Sequence, residues 1–216
     1  VGKARNEDRE RRKAAERAAA DQREQRQRRT SLIWRGAGVI AVVIAVAVSY
    51  SFYNKSRLLK AVTTTSYAAG MHVAGPIVYR ENPPMGGQHN IVWQNCGVYN
   101  APIHNEHAVH SMEHGAVWIT YRPDLPSDQV QSLKALAADD FMLLSPYPGL
   151  PHAVVASAWN HQLTFERVDD AGLRAFISEY KNNPATTPEF GAACLGGTSA
   201  LATTDSLNSS NAAMAR

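Results

Sequence analysis

The sequence predicts an α+β protein: one N-terminal transmembrane helix followed by a single small mixed α/β domain outside the cytoplasm. Three observations carry that expectation. Residues 36–53 are uncharged and mostly apolar, the basic charge is concentrated ahead of them, and residues 71–196 interleave strand-like runs with two amphipathic helical patterns.

Residues 1–35 hold twelve Lys/Arg and six Asp/Glu, a net of +6, which leaves −3 for residues 36–216 of a chain whose total is +3. The basic character thus belongs to the head of the chain. Its charges alternate with alanines, as in RKAAERAAADQREQRQRR, and Glu-to-Arg spacings of one turn favour a solvated helical arm. No aromatic residues interleave these charges, so anionic lipid head groups are the expected partner and nucleic acid is not.

The run GAGVIAVVIAVAVSYSFY at 36–53 has the length that a helix needs to cross a hydrocarbon core of about 30 Å. Arg35 is placed to reach phosphate, and Tyr50, Phe52 and Tyr53 sit where an interfacial aromatic belt falls. Ala45-Val46-Ala47 resembles a signal cleavage site, but the basic region ahead of it is far longer than a secretory signal carries. The expectation is an uncleaved anchor in the plasma membrane. The more basic flank stays inside, so residues 1–35 are read as a cytoplasmic arm and the C-terminal domain as exported. Residues 54–70 are then a linker and 197–216, small and polar, a disordered tail.

Within the domain, Val73–Tyr79 and Ile91–Tyr99 read as strands on either side of the Pro/Gly loop ENPPMGGQHN. Further strands are expected over Ala116–Tyr121, Phe141–Ser145, Val154–Trp159 and Gln162–Val168. Helices are expected over Ser127–Ala138, with Ser127 as N-cap, and over Asp170–Tyr180, with Leu173, Phe176, Ile177 and Tyr180 facing inward.

Two cysteines far apart in an exported domain, Cys96 and Cys194, read as a disulfide. Six of the eight histidines fall between residues 72 and 114. His110 and His114 are one helical turn apart, and the loop before His89 is flexible enough to bring it alongside. Three neutral imidazoles with Glu113 make a candidate site for copper or zinc. Thioether sulfur from Met71, Met85 or Met112 would favour reduced copper. His104 and His107 rank below these ligands, and His152 and His161 are expected to be structural or exposed.

The string His110-x-x-Glu113-His114 also matches the inverted zinc-protease motif, which makes a metal-dependent hydrolase the alternative, with Glu189 as third-ligand candidate. Gly115 follows at once, leaving little room for the long helix that chemistry uses. A third reading is an envelope scaffold or interaction protein, with an envelope protein partner and a purely structural His-rich turn.

The motifs N-P-P-x-G-G-x-H (Asn82 to His89), C-G-x-Y (Cys96, Gly97, Tyr99), V-H-x-x-E-H-G (Val109 to Gly115) and P-E-x-G-x-x-C (Pro188, Glu189, Gly191, Cys194) resemble the domain of unknown function 3105 family of actinobacterial membrane-anchored proteins. The resemblance covers residues 70–197. It implies an N-terminal anchor and an exported domain, and it assigns no reaction.

Overall fold

The structure, a computed structural model, describes residues 2–207. The chain divides into two compact units, Val1–Asn54 and Lys55–Arg216. Helix α1, Gly2–Leu58, makes up the first unit and runs into the second. An 18-residue window within it reaches a mean hydropathy of 2.1 with none of it buried, so the helix is long and apolar enough to cross a membrane. Trp34, Ile40, Val43, Phe52 and Tyr53 all lie exposed on it. A helix apolar all round needs either a protein core or lipid around it.

The second unit is built on a six-stranded mixed sheet in the order β1-β6-β5-β3-β4-β2. The strands are β1 (Thr63–Thr64), β2 (Gly97–Val98), β3 (Val117–Tyr121), β4 (Met142–Pro146), β5 (Val154–Ala158) and β6 (His161–Phe165). β3 and β4 run parallel, with Val117 opposite Met142, and the connection that parallel pairing requires is α3, Ser127–Leu136. β5 pairs antiparallel with β3 and forms a hairpin with β6, and α4, Ala171–Tyr180, follows.

The central strands are buried on both faces, and their alternation separates two cores. Val117, Ile119, Met142, Leu144 and Ala156 pack with Leu133 of α3 and with Leu173 and Phe176 of α4. Trp118, Leu143 and Val155 point the other way and pack with Ala108, Val109 and Met112 of α2, Asn105–Glu113. The sheet is thus covered on both sides, and α2 is the element that brings the histidines to it.

Several expectations are corrected. Val73–Tyr79 is not a strand: Pro76 has no N–H to give, the Ile77 N–H goes to the Glu106 carboxylate at 3.0 Å, and Val78 is almost fully exposed. Of Ile91–Tyr99 only Gly97–Val98 pairs as strand, because the carbonyls of Asn90, Val92 and Gln94 turn to side chains of α2 instead of to a ladder. Ser127 is the first residue of α3 rather than its cap, and Pro126 precedes it with no side-chain cap bond. In α4 the cap is Asp170, whose side chain accepts from the Gly172 N–H at 2.6 Å.

The expected linker belongs to the domain, since α1 continues to Leu58 and Thr63–Thr64 pairs with β6. Part of the expected tail is ordered as well. Thr198 bridges to Gln94, Leu201 bridges to Ile103, and Leu207 is buried. Residues 208–216 lie outside the described residues.

Candidate metal centre

Helix α2 has two faces of different chemistry. Ala108, Val109 and Met112 enter the core, while His107, His110, Ser111 and His114 recur at three- and four-residue intervals on the other side. That second face lies against the extended 87–95 segment, whose carbonyls it caps. His107 Nδ1 donates to the Val92 carbonyl at 2.6 Å, His110 Nδ1 to that of Asn90 at 2.8 Å, and the Ser111 hydroxyl to that of Gln94 at 2.7 Å.

The helix ends in a Schellman turn. The Ala116 N–H bonds the Ser111 carbonyl at 2.9 Å, and the Gly115 N–H bonds that of Met112 at 3.0 Å. Gly115 takes φ +104°, and a Cβ there would sit 3.0 Å from the Asn182 backbone and from the Thr187 side chain. Only glycine fits, and the turn sends the chain straight into β3.

His89 arrives from the glycine-rich loop, its Nδ1 donating to the Gly87 carbonyl at 2.8 Å. The Val73 N–H bonds the His89 carbonyl and the His89 N–H bonds that of Met71, which sets His72 beside His89. On the other side, the Glu189 N–H bonds the Glu113 carbonyl at 3.1 Å, and His114 Nδ1 donates to the Ala193 carbonyl at 2.8 Å.

The outcome is a triangle of imidazoles, His72, His89 and His110, with His114 beside His110. Ring centroids are 4.8 Å apart for His72–His89, 4.9 Å for His89–His110 and 4.6 Å for His110–His114. Trp159 stands 5.7 Å from His89, and Trp93 stands 4.9 Å from His114. Two groups of donors emerge among the described residues, each with one atom per residue within 4.8 Å of the others. The inner group is His72, His89, His110 and Glu113; the outer group is His110, His114 and Glu189.

Three sequence-expected ligands, His89, His110 and Glu113, therefore stand together, and His114 falls in the neighbouring group. The sequence counts His72 in the histidine cluster but not among the ligands, because it sits seventeen residues before His89, just ahead of a run read as strand. Glu189 had a signal, its place in the P-E-x-G-x-x-C motif. His104 lies off the site, its Nε2 3.0 Å from the Asp205 carbonyl, and Met112 is core. Both donor groups consist of imidazole and carboxylate, which suits zinc or oxidised copper.

A carbonyl can only accept, so the Nδ1 of His89, of His110 and of His114 each carries a proton, and a neutral ring then keeps its lone pair at Nε2. This is how metal-binding histidines are commonly held. Burial pushes His110 down to about 3 despite the Asn90 carbonyl, and the neighbouring rings of His114, His89 and His72 lower it further. Its ring is neutral at any ordinary pH.

Glu113 is fully buried. Burial raises its carboxyl, but the His89 ring and the Gly70 N–H outweigh that and hold it below its usual value. Glu113 Oε1 accepts the Gly70 N–H at 2.6 Å. Oε2 lies 2.8 Å from His89 Nε2, yet the two are not aligned as a hydrogen bond, and both lack such a partner among the described residues. At that distance in a dry interior the two atoms call for a positive species between them, a proton on the ring or a metal ion. Two ligands of one tetrahedral zinc, each about 2.0–2.1 Å from it, stand about 3.3 Å apart, so a small outward shift accommodates the ion.

Cys96 and Cys194 meet at disulfide distance, Cα to Cα 5.4 Å, and tie the 189–194 segment to the strand that leads out of the 87–95 segment. Comparison with curated proteins and with solved structures finds no match. The family described as "Protein of unknown function (DUF3105)" matches residues 72–196, more than half of the chain and every residue of the two donor groups, so the chain belongs to that family.

Proposed function

We propose that this protein is a membrane-tethered module whose exported domain binds one transition-metal ion, zinc or copper, at His72, His89, His110 and Glu113. The observation that carries this reading is the buried, unaligned approach of His89 Nε2 to Glu113 Oε2 at 2.8 Å. The orientation of the His89 and His110 rings, each Nδ1 donating to a backbone carbonyl, supports it.

The hydrolase alternative draws less support. Glu113 uses one carboxylate oxygen on the Gly70 N–H and directs the other at His89, so no free edge remains to activate water. The charge asymmetry across residues 36–53 supports a cytoplasmic arm held near anionic head groups, and the cysteine pair at disulfide distance supports an oxidising compartment for the domain. An envelope protein partner for the domain belongs to the same proposal.

The test is elemental analysis of the detergent-solubilised full chain, loaded with zinc or with copper and dialysed, beside its His89→Ala variant. The wild type is expected to retain one ion per chain and the variant to lose it. Equal, trace retention by both would decide for a purely structural histidine cluster.

A further inference from the structure

The outer group adds something that a single binding site does not explain. His110 belongs to both groups, and its Nδ1 is committed to the Asn90 carbonyl at 2.8 Å. A neutral imidazole then offers one lone pair, which can bind one ion at a time. The two groups therefore cannot both be filled with His110 as a ligand of each.

Their surroundings also differ. In the inner group His72 is exposed, but His89 and the carboxylate of Glu113 are fully buried. In the outer group His114 Nε2 lies 3.1 Å from Glu189 Oε2, and the Glu189 side chain is 41% exposed. A neutral ring shared between a set of donors whose carboxylate is buried and a set whose carboxylate faces solvent is the geometry of ligand exchange.

Resting on the metal reading above, we infer that His114 and Glu189 form an entry position from which His110 hands one zinc or copper ion to the buried His89–Glu113 pair. Each step exchanges one ligand for another at an ion that never loses all of them, so no bare ion crosses the low-dielectric interior. The carboxylate at the rim attracts the cation, and the backbone tie between Glu189 N–H and the Glu113 carbonyl keeps the two carboxylates in fixed relation. The competing way in, a cavity of about 210 Å³ lined by His72, Val73, Ala74, Asn90 and Ile91, offers no carboxylate.

Trp159 stands beside His89 alone of these rings, whereas Trp93 stands beside His114 and the shared His110, so the two tryptophans weight the two positions differently. The experiment is stopped-flow mixing of the solubilised full chain with Cu²⁺, followed by quenching of indole fluorescence, with elemental analysis at saturation. The wild type is expected to bind one ion per chain in two phases. Glu189→Gln, an exposed substitution, is expected to lose the fast phase and to load at least about tenfold more slowly. His89→Ala is expected to keep the fast phase and lose the slow one.

Two ions per chain at saturation would overturn the transfer, because the groups would then be independent. Loading at the same rate in wild type and Glu189→Gln would overturn it too, and slowing confined to His72→Ala would identify the other route. A wild type that retains no ion overturns the metal reading itself, a result distinct from either of these.

Discussion

The chemistry rests on a few buried groups that titrate unlike their free counterparts. Burial lowers both His107 and His110, the latter to about 3, against about 6.5 in an unfolded chain. Below pH 6.5 the unfolded state therefore takes up protons that the folded state refuses. Stability from these rings is complete above about 6.5 and drains away as pH falls toward about 3. Glu113, also held low in the fold, adds a loss of the same sign below about 4.3. The near-ultraviolet melting midpoint of the metal-free chain should drop between pH 7.5 and pH 5; a flat or rising midpoint would contradict the burial of neutral rings.

Glu113→Gln separates binding from folding. The amide can keep the Gly70 N–H bond through its oxygen and donate through its nitrogen to His89 Nε2, filling the gap that the carboxylate leaves. The metal-free variant should melt no lower than the wild type while its metal affinity falls at least about tenfold. A loss of stability with affinity intact would make Glu113 a structural residue.

At the scale of elements, periodicity in the sequence was a good guide wherever burial dictated the pattern. The buried strands β3, β4 and β5 and the amphipathic α4 lie close to their expected bounds. It misled where side chains took the backbone's hydrogen bonds. Ile91–Val92-Trp93 has strand composition, but the carbonyls around it serve His107, His110 and Ser111, a pairing that no local pattern encodes. The same cause hid one member of the site: His110 and His114 were legible as helix neighbours, whereas the bridge to His89 is what brings His72 beside His110.

Cys96 and Cys194 are 98 residues apart, and a disulfide between them encloses every element from β2 to α4. In the chain-entropy account such a link stabilises the fold by ~4–5 kcal/mol. The native protein should show no alkylatable thiol, and reduction should lower its denaturant midpoint. Two free thiols in the exported protein would remove this element from the account.

At the scale of the whole molecule, the proposed function requires that the long apolar helix anchor the chain with the domain outside the cytoplasm. Alkaline phosphatase fused after Gly196 should be active and the same reporter fused before Arg35 silent, as the charge difference across residues 36–53 requires. The reverse pattern would place the domain in the cytoplasm.

The metal claim is tested most directly by X-ray absorption at the zinc edge of the loaded full-length protein. A site of His72, His89, His110 and Glu113 predicts four nitrogen or oxygen neighbours at about 2.0–2.1 Å, with the multiple-scattering signature of about three imidazoles and no sulfur at about 2.3 Å. A sulfur shell, or a spectrum of hydrated zinc without imidazole scattering, would contradict it.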